Sequence, residues 1–194
     1  PEIHITIGGS VFTKLVDRLE KEGSHLFNFV DSFVVHEGET PLLKLVEHLR
    51  GDGDLSKVPN LIYRQDGEVK VNRPFAKEEL NALPTPDFDG LPLDLYLAPD
   101  RVLPVMGSRG CYWEKCAFCS IPFDHMEFHV RYAENVVNDF KTLQEKYNCN
   151  HFFFTDEALP INFLRTFAAK IIEEKVDVQW TGELKFEKSL LKDD

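Results

Sequence analysis

A chain of 194 residues with 43% hydrophobic and 12% aromatic side chains can bury a real core, and its length allows one domain or parts of two. Its formal net charge of −11 disfavours a broad phosphate-binding surface, because nucleic-acid binders ordinarily present a clustered basic face; no nucleic-acid partner is expected. Neither a signal peptide nor an apolar run of membrane-spanning length is legible, which predicts a cytoplasmic protein with no membrane span.

Pro1 and Glu2 lead straight into a strand-like run without an initiator Met, and the chain stops abruptly at Lys192-Asp193-Asp194; both ends suggest a segment of a larger protein. His4 to Ile7, followed by Gly8-Gly9-Ser10, reads as a short buried strand ending in a Gly turn. Val11, Leu15, Leu19, Leu26 and Phe29 then recur at roughly helical spacing, with an interruption near Gly23. Ser32 to His36 is a second strand. Thr40 is placed as an N-cap with Pro41 at the first helical position, and Leu42, Leu43, Leu45, Val46 and Leu49 form one apolar helix face closed by Gly51 and Gly53. Strand, helix, strand, helix is the grammar of a doubly wound α/β sheet.

Leu61 to Val71 alternates around Asp66-Gly67, a strong hairpin signal. Pro74 to Pro104 holds most of the prolines and reads as an extended connector, with Asp87, Asp89 and Asp94 as solvated turn residues because no calcium-loop spacing is present. From Val102 the pattern restarts. Strands are expected at Val102–Met106, His151–Thr155 and Val176–Thr181, with helices at Ala133–Tyr147 and Ile161–Glu174 between them, which implies a parallel sheet covered by helices.

The most informative stretch follows the first of these strands. Cys111, Cys116 and Cys119 lie at the spacing C-x4-C-x2-C in GSRGCYWEKCAFCSIP, interleaved with Tyr112, Trp113 and Phe118. Thiolates are soft ligands for iron–sulfur clusters, zinc or copper(I), and three of them on one short loop point to a metal centre kept reduced. Three thiolates on a four-iron, four-sulfur cluster leave one iron open to a small molecule, whereas a structural zinc recruits a fourth protein ligand. His125, His129 and Cys149 are the candidates for that fourth place, although none completes a familiar paired zinc spacing, and Cys149 also reads as a small buried residue.

The stretch LPVMGSRGCYWEKCAFCS resembles the cluster-binding loop of radical S-adenosylmethionine (radical SAM) enzymes, in which a strand runs through a Gly/Arg turn into three cysteines. The commonest spacing in that family is C-x3-C-x2-C with an aromatic residue directly before the third cysteine, the place Phe118 occupies. The extra residue between Cys111 and Cys116 is similar to a longer form found in members that carry a cobalamin-binding domain. The order GGS, FVVHEGE and TPLLKLVEHL resembles the last two strand–helix units of that domain, while its Asp-x-His-x-x-Gly signature is not present. FFFTDEALP and WTGELKF look like the second and third strand regions of the same proteins.

The resemblance implies three parts. Residues 1–58 would be the tail of a Rossmann-like doubly wound domain, 59–100 a hairpin and Pro-rich linker, and 101–194 the first half of a partial (β/α) barrel carrying the cluster loop. It also implies a cluster held by Cys111, Cys116 and Cys119, with Phe118, Asp156, Glu157 and Glu183 as cofactor contacts at the strand ends, where such barrels collect their chemistry. Read from the residues alone, Asp156 could instead cap the following helix and Glu183 could be a surface charge paired with Lys185. The implied activity is reductive cleavage of S-adenosylmethionine to a 5′-deoxyadenosyl radical, with cobalamin-dependent methyl transfer as the associated outcome. Implied partners are a small-molecule or peptide substrate and a one-electron donor such as flavodoxin or ferredoxin. The alternative is a non-catalytic α/β module with a structural zinc at the same cysteines.

Overall fold

Asp66 and Gly67 both take left-handed backbone angles, φ 53° and 83°, the conformation of a tight two-residue hairpin turn. The turn joins β3 (Leu61–Gln65) to β4 (Glu68–Val71) in the computed structural model, which describes residues 3–121 and 127–191. The hairpin is not free-standing. β3 pairs antiparallel with β2 (Ser32–Val34), and β2 pairs parallel with β1 (Thr6–Gly8), giving one mixed four-stranded sheet in the order β1-β2-β3-β4.

The chain divides into two compact units, Pro1–Glu78 with Phe118–Met126 and Glu79–Ala117 with Glu127–Asp194. In the first, alternate residues of the strands supply two cores. Phe33, Val35 and Ile62 meet Val16, Leu19, Phe27 and Val30 on one face; Val34, Leu61 and Tyr63 meet Leu45 and Val58 on the other. Val16 and Leu19 belong to α2 (Val16–Glu22), which follows α1 (Ser10–Lys14), and Leu45 to α3 (Glu39–Leu49), so helices cover both faces of this sheet. The expected single helix breaks at Leu15 and tightens into a 3₁₀ turn over Gly23–Asn28. Thr40 is not the N-cap of α3, a place taken by Gly38; its N–H and hydroxyl both donate to the buried Glu78 carboxylate, each at 2.7 Å. The short segment after Cys119 joins this unit through Lys14, whose ammonium donates to the Ser120 hydroxyl at 3.0 Å.

The second unit is built on a parallel sheet in the order β5-β8-β9, with β5 at Val102–Val105, β8 at His151–Phe154 and β9 at Gln179–Thr181. Its helices are α4 (Ala133–Tyr147) and α5 (Ile161–Glu173). Ala133, Val136, Val137, Phe140, Leu143 and Tyr147 recur at three- and four-residue spacing, so one stripe of α4 is buried, and Asn148 in the left-handed region ends the helix. Leu103, Val105, Phe152, Phe154 and Trp180 point to the same side and share one core with both helices. Aromatic rings fill it: Phe140 stacks on Phe152 at 4.2 Å, and Phe167 meets Phe154 edge-on at 5.3 Å and Trp180 at 5.5 Å, each such pair adding about 1 kcal/mol beyond its buried area.

The other face of this sheet, presenting Val102, Phe153 and Thr181, is exposed, with both helices packed on the opposite side. A singly covered parallel sheet of neighbouring strands differs from the doubly covered sheet of the first unit. The connector after Glu79 is fastened to α4: Thr85 donates to Asp139 at 2.6 Å, and the Tyr147 hydroxyl and the Lys146 ammonium both donate to Asp87, at 2.6 and 2.8 Å. Asp94 likewise accepts from Arg101 at 2.6 Å. Asp87, Asp89 and Asp94 are exposed, as expected of solvated turn residues, and these surface pairs also tie the connector down. Among the described residues no helix is long and apolar enough to cross a membrane.

Candidate functional site

β5 delivers the chain to Gly107 at the C-terminal end of the sheet, where a side chain would crowd the aromatic core. A Cβ on Gly107 would lie 2.8 Å from two ring carbons of Phe163 and 3.2 Å from Phe154. Asp156, two residues after β8 and 3% exposed, faces the same turn. Its carboxylate accepts the N–H of Gly107 at 2.9 Å, the hydroxyl of Ser108 at 2.6 Å and the N–H of Ser108. Burial pushes the Asp156 carboxyl above its usual range despite these donors, with a smaller push from the neighbouring Glu157.

Arg131 holds the turn from its carbonyl side. Its backbone N–H donates to Gly107 O at 2.8 Å and its guanidinium to Met106 O at 3.2 Å. The same guanidinium pairs with Asp139 of α4 at 2.6 Å, with both side chains only 5% exposed. The chain between Ser108 and Val130 thus leaves and returns at one place, where β6 (Ser108–Arg109) and β7 (His129–Val130) form a short antiparallel ladder.

Within the excursion, Cys111 and Cys119 are half-buried, Cys116 is exposed, and all are free thiols. Gly110 at φ 81° and Glu114 at φ 51° turn the backbone near Cys111. Among the described residues no three His, Cys, Asp or Glu side chains are gathered closely enough to hold a metal ion. Of the fourth-ligand candidates, His129 lies in β7 at the loop's base. Cys149 is buried two residues before β8, with its sulfur 3.0 Å from Arg101 O and 3.2 Å from His151 O, at the opposite end of the strand from Asp156. His125, like Pro122, lies outside the described residues.

The segment after β9 braces the start of the loop. The Tyr112 hydroxyl donates to the Glu187 carboxylate at 2.8 Å, and the Tyr112 ring meets Phe128 edge-on at 5.8 Å. Lys185 lies 3.8 Å above the Trp113 ring and pairs with Glu187 at 3.0 Å. Burial, reinforced by Glu187, pushes the Tyr112 phenol up to about 12. Lys185 thus pairs with Glu187 where the sequence suggested Glu183.

The remaining expected contacts are spread along the strand ends. Asp156 does not cap α5, whose N-cap is Pro160; its acceptor positions are taken by the loop root. Glu157 is half-buried beside it. Glu183 is exposed two residues past β9, and its backbone carbonyl accepts from Leu159 N at 2.9 Å. Phe118 is 92% exposed. Sequence reasoning missed Arg131, Asp139 and Glu187. For Asp139 a signal existed: it falls on the apolar stripe of a well-marked helix, where an unpaired carboxylate would be costly.

No family model matches the chain. The uncharacterized methyltransferase PH0819 of Pyrococcus horikoshii is 30% identical over 163 residues, which is 79% of this chain and 34% of that protein. Among solved structures, the cobalamin-dependent S-adenosylmethionine radical enzyme OxsB superposes with a TM-score of 0.66 at 18% identity, over 90% of this chain and 25% of its own. The radical S-adenosylmethionine methyltransferase TsrM from Kitasatospora setae does so with a TM-score of 0.65 at 18% identity, over 88% of this chain and 34% of its own.

The fold is similar to that of a quarter to a third of the length of these solved cobalamin-dependent radical SAM enzymes. The likeness legible in the sequence extends in three dimensions over about nine tenths of the chain, and the chain spans about a third of its curated relative's length. Those solved radical SAM structures contain cobalamin, with S-adenosylmethionine in OxsB and a [4Fe-4S] cluster in TsrM. The donor set here fits such a cluster chemically: three free thiols on one loop, entered through a rigidly fixed turn at the C-terminal end of a parallel strand.

Proposed function

We propose that this chain is part of a radical SAM enzyme of the cobalamin-binding kind, with Cys111, Cys116 and Cys119 as the ligands of a four-iron, four-sulfur cluster. The reading rests on one observation: a C-x4-C-x2-C loop rooted at the C-terminal end of the first strand of a parallel β/α unit, where such folds collect their chemistry. When bound, the cluster would supply one electron to S-adenosylmethionine held at its open iron. Methyl transfer is the outcome that the curated methyltransferase relative favours.

The protein's own residues then have defined tasks. Asp156 and Arg131 fix the root of the loop, and Tyr112 and Trp113 brace its first cysteine against Lys185 and Glu187. Glu157 and Glu183, at the ends of β8 and β9, offer carboxylates to the amino and ribose groups of S-adenosylmethionine, and Phe118 offers an aromatic face beside Cys119. In this reading the doubly covered first sheet is the end of a Rossmann-like cobalamin-binding domain, and the singly covered second sheet opens a partial (β/α) barrel. A small-molecule or peptide substrate, a flavodoxin- or ferredoxin-like electron donor and a cytoplasmic location complete it.

Counting iron after anaerobic reconstitution tests the ligand set. Each of Cys111→Ala, Cys116→Ala and Cys119→Ala should lose cluster iron, while Cys149→Ala should keep it. Full iron in the Cys116→Ala protein would remove the assignment, and one tightly bound zinc in a colourless protein would establish the structural-zinc alternative.

A further inference from the structure

At the root of the cysteine loop two buried charges of opposite sign hold one short piece of backbone. Asp156 receives the N–H groups of Gly107 and Ser108 and the Ser108 hydroxyl, while Arg131 supplies donors to the carbonyls of Met106 and Gly107. Ser108, Arg131 and Asp156 are each less than a tenth exposed. A carboxylate suits this place because it is acceptor-only and its two oxygens can serve three converging donors, which a neutral amide cannot do. The rings of Phe163 and Phe154 pack on the remaining side, against the place where a Cβ on Gly107 would lie.

We infer that Asp156 is a positioning residue for the cysteine centre: by clamping the Gly107–Ser108 turn from the end of β8, it sets where and in what direction the loop leaves β5. The inference rests on the cysteines being the ligands proposed above. It assigns Asp156 a role different from direct cofactor contact, because the oxygens that would meet S-adenosylmethionine are committed to the loop. It also couples two neighbouring strands, since β8 pairs with β5 directly below the clamp, with Val105 opposite Phe154. A change at the end of β8 is thereby transmitted to Cys111, four residues beyond Gly107, through the turn that Asp156 holds.

The test uses the 194-residue chain carrying Asp156→Asn, with Ser108→Ala as a milder variant that removes one donor and leaves the carboxylate. Hydrogen exchange at the Gly107 and Ser108 amides should quicken about tenfold or more in the Asn protein, the scale expected for losing a charge-assisted hydrogen bond. Exchange at Phe152 and Phe154 should stay slow. The reduced, iron-reconstituted Asn protein should show an altered electron paramagnetic resonance spectrum, a change that a role confined to stability would not produce. The Ala protein should move both readouts in the same direction by less. Unchanged amide exchange at the turn, or an unchanged spectrum in variants that bind iron, would overturn the inference alone. A wild-type chain that takes up no iron would overturn the cysteine reading, and this inference with it.

Discussion

The Tyr112 hydroxyl donates to the Glu187 carboxylate at 2.8 Å, tying the residue that follows Cys111 to the segment that follows β9. Burial is the larger reason the phenol is pushed up to about 12, and the hydrogen bond to Glu187 adds to it. An ultraviolet pH titration should therefore find Tyr112 ionising late, in company with Tyr147, whose phenol burial and Asp87 also push up, and the Tyr112→Phe protein identifies which late phase belongs to Tyr112. Glu187→Gln should bring that midpoint down without returning it to the ordinary value. A late phase that is lost in Tyr112→Phe but ignores Glu187→Gln would mean the brace is not formed.

Gly107→Ala forces a methyl group against Phe163, where the nearest ring carbons would lie at 2.8 Å. With Phe154 at 3.2 Å on the same side, the core has little room to yield. The expected loss is about 1–3 kcal/mol in denaturant unfolding of the second unit. Enlarging Gly110, whose φ is 81°, acts by another route: a side chain there is strained by the backbone angle itself.

Arg131 and Asp139 form a buried pair at 2.6 Å. Asp139→Leu leaves a guanidinium in the interior without its carboxylate, which costs about 3–5 kcal/mol. The double variant R131M/D139L should recover most of that loss, because no charge remains buried, although the bond to Met106 O is gone. Urea unfolding of the single and double variants measures this. A double variant as unstable as the single would show that the pair does not act as a unit.

The carboxyl of Asp156 lies above its usual range because burial outweighs the three donors, with Glu157 pushing the same way. The folded chain then keeps a proton on this group through a pH window that starts at the ordinary carboxylate pKa and ends at the raised one, a window in which the unfolded chain has already released it. Stability from this site is full below the window and falls as pH rises through it. The Asp156→Asn protein lacks that fall, so the stability of wild type relative to the variant should shrink as pH rises through the window. A difference that does not vary with pH would contradict the raised pKa.

Much of this architecture was legible because its signals are local. The Asp66-Gly67 pair specified the hairpin, and the apolar stripe of α4 specified a helix whose ends, Ala133 and Tyr147, agree with the pattern. Strands rich in Val, Phe and Trp with helices between them specified the second sheet. The pairing of β3 with β2 was not legible, because nothing in a hairpin's own residues says which edge it will join. The site divided the same way. Thiolate spacing marks the loop by itself, whereas the roles of Asp156, Arg131 and Glu187 depend on partners 48, 25 and 75 residues away in sequence. A helix-capping reading of Asp156 was natural with α5 close behind it, but Pro160 and the open donors of the Gly107–Ser108 turn decide otherwise.

The central claim is that Cys111, Cys116 and Cys119 form the ligand set of a radical SAM centre. Low-temperature electron paramagnetic resonance of the anaerobically reconstituted, reduced chain, recorded with and without S-adenosylmethionine, tests it most directly. The reduced chain should give a four-iron, four-sulfur signal that changes when S-adenosylmethionine is added. A protein that takes up no cluster, or a cluster signal indifferent to S-adenosylmethionine, would contradict it.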